Sequence, residues 1–102
     1  MPLVNMKPLL RHAMDNHYAV AAFNLVDYNT TKAMVKAAEE LGAPVICQTS
    51  SKTIQYYSHA EIVSWVRTCA ENSPVPVVLH LDHCHDLAMI EQCAKSGWTS
   101  IM

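Results

Sequence analysis

The chain has 102 residues, of which 51% are hydrophobic and 16% are charged. This size allows one domain at most, or part of a larger one, and the composition excludes a disordered chain, which would be poor in apolar residues and rich in charge. The formal net charge is −2, so the chain lacks the excess of basic residues that is typical of nucleic-acid-binding proteins. No apolar run approaches the roughly 18 residues that are needed to cross a bilayer. The first residues also lack a signal-peptide pattern. We therefore expect a cytoplasmic protein without a nucleic-acid or membrane partner.

Apolar runs of strand length alternate with helical patterns along the chain. Asn5, Ser58 and Asp86 stand where side chains cap helices, and Gly42 and Gly97 stand where helices end. The helical patterns lie between the strand-like runs and carry apolar residues at helical spacing. The strand-like runs cover residues 18–23, 44–48, 75–81 and 98–102, with polar, turn-like stretches at 24–31 and 49–57.

This alternation predicts a parallel sheet with right-handed helical crossovers. The strands are apolar throughout, which is typical of strands covered on both faces. Two architectures fit, a doubly wound sheet or a (β/α)8 barrel, and the first lacks the glycine-rich phosphate motifs that would support it. A full barrel needs about 250 residues. If the fold is a barrel, residues 1–102 are expected to form a single partial domain of about three and a half βα units.

The four cysteines, at positions 47, 69, 84 and 93, form no C-x-x-C pair. Reduced thiols that fill apolar space are the expected state, and a cysteine zinc site or a disulfide framework is the alternative.

Candidate functional residues follow the strands, because the carboxyl ends of parallel strands carry the sites of α/β folds. The richest segment, 80–86, holds three histidines and two aspartates. His83 can offer a neutral imidazole to a metal, and a nearby cation would keep Asp82 ionised and able to accept a proton. Neighbouring residues on a strand point to opposite faces, so Asp82 and His83 can converge only if the backbone turns there. Asn24 and Ser50 follow the first two strands.

Each of these residues also has a purely structural interpretation. His83 could be a solvated or hydrogen-bonded loop histidine, and Asp82 could be a carboxylate that starts a loop or caps a helix. His80 could be a hydrogen-bonded core histidine. Asp86 fits the N-cap of the third crossover helix. Asn24 and Ser50 could serve only as hydrogen-bonding residues in loops.

Four segments of the chain carry a family pattern. Residues 76–83 read P-V-V-L-H-L-D-H, and residues 97–102 read G-W-T-S-I-M. These two segments resemble the class II, zinc-dependent ketose-bisphosphate aldolases, which have an apolar strand with H-x-D-H, followed after a helix by G-[FW]-[TR]-S-[VI]-M. Upstream, Y-A-V-A-A-F-N at 18–24 and A-P-V-I at 43–46 look like two further family segments, in the same order. The stretch 50–53, S-S-K-T, differs from the S-x-G-A of many members.

The resemblance implies the N-terminal part of a TIM (β/α)8 barrel and a lyase of carbohydrate metabolism, such as glycolysis. The full-length protein, expected to be a homo-oligomer, would reversibly cleave a fructose- or tagatose-type ketose 1,6-bisphosphate to dihydroxyacetone phosphate and an aldehyde phosphate. By match, His83 would be a zinc ligand, Asp82 the general acid/base, and Asn24 and Ser50 substrate contacts. The family's other zinc and phosphate ligands fall beyond Met102, so the 102-residue chain alone is expected to be inactive.

Three other interpretations stay open. A related aldolase could act on another phosphorylated sugar, in inositol or sulfosugar breakdown. A short, catalytically inactive chain could associate with itself through its sheet edges. A small metal-binding module could be built on His80, His83 and His85.

Overall fold

The computed structural model describes residues 3–102, which form one parallel sheet with helices between its strands. The helices are α1 (Met6–Asp15), α2 (Tyr28–Leu41), α3 (Ser51–Tyr56), α4 (His59–Glu71) and α5 (Leu87–Lys95). The strands are β1 (Ala21–Asn24), β2 (Val45–Thr49), β3 (Val77–Leu81) and β4 (Ser100–Ile101), in the spatial order β1-β2-β3-β4. Every pairing is parallel. The predicted α/β alternation is confirmed, and consecutive strands are neighbours.

Side-chain caps set where several helices begin. Asp27 and Thr30 form a reciprocal capping box that starts α2, so the helix begins within the stretch predicted to be a turn. Ser58 Oγ accepts from the Glu61 amide at 3.0 Å, as the S-x-x-E pattern predicted. Asp86 Oδ1 accepts from the amides of Ala88 and Met89. Such caps each contribute about 1 kcal/mol.

Other sequence expectations also differ from the structure. β3 and β4 begin at Val77 and Ser100, each two residues later than predicted. β1 begins at Ala21 rather than at residue 18, because the Tyr18 amide bonds back to Ala13 O and closes the turn after α1. The segment 49–57, predicted to be a loop, contains the short helix α3, which Ser50 caps. Asn5 occupies the N-cap position of α1 but makes no side-chain cap bond there.

The hydrophobic core lies between the sheet and helices α2, α4 and α5. Alternate strand residues face it, including Cys47, Val77 and Leu79, and they meet helix residues such as Val35 and Val66. Each fully buried aliphatic side chain contributes about 1.5–3 kcal/mol. The intervening strand residues point to the opposite face of the sheet, where the polar side chains of the next section lie.

None of the helices formed by residues 3–102 combines the length and the hydropathy needed to span a bilayer.

Candidate active site

A row of four polar residues crosses the sheet near the carboxyl ends of its strands. Strand register aligns Asn24 with Gln48, Gln48 with His80, and His80 with Ser100. Residues in register on neighbouring parallel strands share a face, so these four side chains lie side by side. Gln48 Nε2 donates to Asn24 Oδ1 at 2.8 Å, and His80 Nδ1 lies 2.7 Å from Ser100 Oγ. We call these four residues the polar row.

Asp82 lies beside this row, one residue after β3 ends. Its amide donates to Thr49 O at 3.0 Å, which joins the ends of β2 and β3. Asp82 Oδ1 is 3.9 Å from His80 Nε2 and 3.7 Å from His83 Nε2. The carboxylate is therefore flanked by two imidazoles.

The backbone turn that the sequence analysis required occurs at His83. This residue has φ +47, in the left-handed region that only a few per cent of non-glycine residues adopt. The turn brings the side chains of neighbours Asp82 and His83 to the same side. The two differ in exposure, since 26% of the Asp82 side chain is accessible against 71% of His83. His83 thus presents an open imidazole next to a partly shielded carboxylate.

His80 is held differently from His83. Burial lowers the pKa of His80, while the Asp82 carboxylate raises it by a smaller amount. The imidazole is consequently biased toward its neutral form, and its Nδ1 is already engaged by Ser100.

Ser50 directly follows β2 and caps α3. Its Oγ accepts from the Thr53 amide at 3.4 Å and lies 3.3 Å from Thr53 Oγ1. Ser50 is therefore tied to the carboxyl edge of the sheet through Thr49, the residue whose carbonyl group binds the Asp82 amide. Of the four predicted site residues, the structure brings the side chains of Asp82 and His83 together, 3.7 Å apart. Asn24 belongs to the polar row two strands away.

The residues at this edge can supply part of a metal site. Within residues 3–102, no three His, Cys, Asp or Glu side chains gather as a ready metal centre. The grouping of His80, His83 and His85 as a metal module is therefore not formed. The exposed imidazole of His83 is a suitable zinc donor, but a catalytic zinc normally takes three protein ligands. His83 fits as one of them.

The cysteines do not contribute to this edge as a cluster. All four are free thiols, as predicted, and only Cys69 is more than slightly exposed.

Two members of the polar row were not identified as candidates from sequence. Gln48 lies inside an apolar strand, and Ser100 belongs to the G-W-T-S-I-M segment without a role assigned to it. The signal that could have found them is the strand register, because it aligns both with His80.

The known proteins that this chain resembles are aldolases. The family model for fructose-bisphosphate aldolase class-II matches residues 4–102. A plasmid-encoded fructose-bisphosphate aldolase of Cupriavidus necator is 38% identical over 103 residues, covering 100% of this chain and 30% of the relative. The 6-phospho-5-dehydro-2-deoxy-D-gluconate aldolase of Bacillus licheniformis is 40% identical over 105 residues, covering 100% of this chain and 36% of the relative.

Solved structures agree on the fold. The YdjI aldolase from Escherichia coli K12 superposes with a TM-score of 0.89 at 27% identity, covering 98% of this chain and 39% of that one. This likeness confirms the predicted fold class, the N-terminal units of an aldolase-type (β/α)8 barrel. The chain spans about a third of the length of the curated relatives that it matches. On the family match and these relatives together, the chain belongs to the class II fructose-bisphosphate aldolase family.

Proposed function

We propose that residues 1–102 are a partial aldolase domain that supplies the general acid/base and one zinc ligand. The whole protein would reversibly cleave a ketose 1,6-bisphosphate of the fructose or tagatose type to dihydroxyacetone phosphate and an aldehyde phosphate. The observation that carries this proposal is the approach of Asp82 to His83, with Oδ1 and Nε2 3.7 Å apart at the carboxyl edge of the sheet. A cytoplasmic homo-oligomer is the proposed form of the protein.

Asp82 would move the proton of the reaction. During cleavage, the substrate hydroxyl that becomes the aldehyde carbonyl gives its proton to a base, and the electron pair of the broken carbon–carbon bond stays on the ketone fragment. A partly exposed carboxylate at this edge can accept that proton and return it in the reverse reaction. When bound at His83, zinc supplies Lewis-acid polarisation of substrate oxygen atoms.

The other predicted residues would position the substrate. Asn24 Oδ1 accepts from Gln48, which leaves the Asn24 Nδ2 group to donate to a substrate oxygen. Ser50 places a hydroxyl group at the same edge, one residue after Thr49.

The proposal is tested by Asp82→Asn in the whole protein that carries this sequence. Loss of a general acid/base costs roughly 10²–10⁴-fold in rate, so cleavage should fall by that factor while the thermal unfolding temperature is kept. Asp86→Asn is the matched control, because asparagine also caps helices and the Asp86 carboxylate accepts from the Ala88 and Met89 amides at the start of α5. Normal turnover by Asp82→Asn would contradict the assignment.

A related aldolase acting on another phosphorylated sugar is the second candidate. It is favoured by the Bacillus licheniformis relative, which is named for a phosphorylated dehydro-deoxy-gluconate rather than for a ketose bisphosphate. Comparing kcat/KM for the two substrates on the whole protein decides between the candidates. The isolated 102-residue chain should cleave neither, since His83 alone cannot hold catalytic zinc.

A further inference from the structure

Ser100 and His80 form the shortest polar contact of the polar row. Ser100 Oγ lies 2.7 Å from His80 Nδ1, on adjacent strands in direct register. The other ring nitrogen of His80, Nε2, faces Asp82 Oδ1 at 3.9 Å. The imidazole therefore lies between a hydroxyl group and a carboxylate.

The charge of Asp82 decides where the His80 proton resides. A neutral imidazole carries one N–H and one lone pair. If Nδ1 held the proton, the lone pair of Nε2 would face the carboxylate, and two electron-rich groups would oppose each other. If Nε2 holds the proton, its N–H points toward Asp82, and the Nδ1 lone pair accepts from the Ser100 hydroxyl. The second arrangement gives Nδ1 its hydrogen bond from Ser100 and places the positive end of the Nε2–H dipole 3.9 Å from Asp82 Oδ1, an electrostatic contact rather than a hydrogen bond.

Within residues 3–102, the Ser100 hydroxyl also has a sulfur acceptor within reach. Met6 Sδ lies 3.6 Å from Ser100 Oγ, but a thioether is a weak acceptor. The imidazole nitrogen is the better acceptor, so the Ser100 hydroxyl keeps its proton and points it at His80 Nδ1. Burial also biases His80 toward its neutral form by lowering its pKa, which preserves the lone pair that Ser100 needs.

We propose that Ser100 is a positioning residue: its hydroxyl donates to His80 Nδ1, fixes His80 in the Nε2–H tautomer, and through that N–H orients the Asp82 carboxylate. The hydrogen-bond assignment stands by itself. Its consequence for turnover rests on the proposed role of Asp82.

The assignment is tested by nitrogen NMR of the protein labelled with ¹⁵N-histidine, with His80→Gln used to identify the His80 signals. Near neutral pH, His80 Nδ1 should resonate as an unprotonated nitrogen that accepts a hydrogen bond. In Ser100→Ala, this resonance should move toward the value of an imidazole without that bond, and Ser100→Thr should restore it. A proton on Nδ1 in the unmodified protein, or the same Nδ1 resonance in Ser100→Ala, would overturn the inference.

Thr99→Val is the matched control, because it removes the hydroxyl of the residue directly before β4. Thr99 Oγ1 bonds the backbone of Leu79 rather than His80, so its removal weakens the same strand pair without touching the imidazole. In the whole protein, Ser100→Ala should lower kcat on the order of tenfold with KM kept, a size comparable to loss of outer-shell partners. Thr99→Val should lower thermal stability and keep both kcat and the His80 resonances.

The NMR measurement on Ser100→Ala and the turnover of Asp82→Asn test the inference and the proposed function separately. If Ser100→Ala shifts the His80 resonance while Asp82→Asn retains turnover, the tautomer assignment holds and the role of Asp82 is wrong. If Asp82→Asn is inactive while Ser100→Ala keeps kcat, Ser100 does not position the catalytic carboxylate.

Discussion

The side chains of Gln48 and Asn24 are joined across β1 and β2, with Gln48 Nε2 donating to Asn24 Oδ1 at 2.8 Å. The bond uses the acceptor of Asn24 and leaves its donor group directed elsewhere. Because the two residues are also in register, the strand pair itself sets their separation. Asn24 is thus oriented by a residue that the sequence motifs did not single out.

Gln48→Ala is expected to weaken substrate binding by the whole protein. A net hydrogen bond contributes about 0.5–1.5 kcal/mol, so KM should rise by up to roughly tenfold while kcat changes less, because Asn24 loses its orientation. Gln92→Ala, an exposed glutamine on α5, is the matched control and should leave KM unchanged. An unaltered KM in Gln48→Ala would show that Asn24 needs no such support.

His83→Ala is expected to remove zinc from the whole protein. Outer-shell partners of metal ligands already cost ~10–100-fold in affinity, so loss of a direct ligand should cost on the order of a hundredfold or more. Zinc content after dialysis against a weak chelator measures this. His85→Ala removes another exposed imidazole from the same loop and should retain zinc. Equal zinc content in the two variants would exclude His83 as a ligand.

Gly97→Ala is expected to destabilise the fold more than Gly42→Ala. Gly97 has φ +99, and a Cβ there would contact Arg67 Nη2 closely, whereas Gly42 has φ +62 with open space around it. A positive φ costs alanine roughly 1–2 kcal/mol at either position. At Gly97 the Arg67 side chain must also move away from Ser96 O, to which its Nη2 donates. Thermal melts compare the two, at about 4–8 °C per kcal/mol for this size.

The prediction is that Gly97→Ala melts at a lower temperature than Gly42→Ala. Adding Arg67→Ala to Gly97→Ala removes the side chain that a Cβ would meet, so any recovery measures the steric part of the cost. A Gly42→Ala variant that melts below Gly97→Ala would contradict the account.

Stability is expected to decrease above pH 9 because of Cys47. Burial raises the pKa of this thiol from 9.0 to about 12, with Cys69 adding to the shift. Between those values the unfolded chain releases the thiol proton while the native protein retains it, so the free energy of unfolding falls as pH rises. At about 1.4 kcal/mol per pH unit, the loss reaches roughly 2 kcal/mol near pH 10.5.

Urea denaturation at pH 8, 9.5 and 10.5 measures this dependence. Cys47→Ala removes the titrating group, so its unfolding free energy should fall less steeply over the same range. Cys93, whose burial raises its pKa to about 11, titrates in both proteins and cancels in the comparison. Identical slopes would show that Cys47 ionises in the native state.

Local patterns predicted most of the secondary structure. The helix caps at Ser58 and Asp86 formed as expected because each contact spans only two or three residues. The limits of β1 were wrong because a local hydrogen bond, from the Tyr18 amide back to Ala13 O, closes the turn after α1 where the apolar run predicted a strand. Helix α3 was missed because six residues carry too little periodicity to distinguish a helix from a loop.

The sequence alone determined the α/β alternation, the motif that contains Asp82 and His83, and hence the family, because these depend on residue types at short spacing. Only the tertiary structure decided which polar groups meet. The left-handed turn at His83 brings its side chain beside that of Asp82. The register aligns His80 with Gln48, 32 positions earlier, and with Ser100, 20 positions later. Such contacts depend on how packed strands are placed in three dimensions, and no local pattern along the chain encodes that placement.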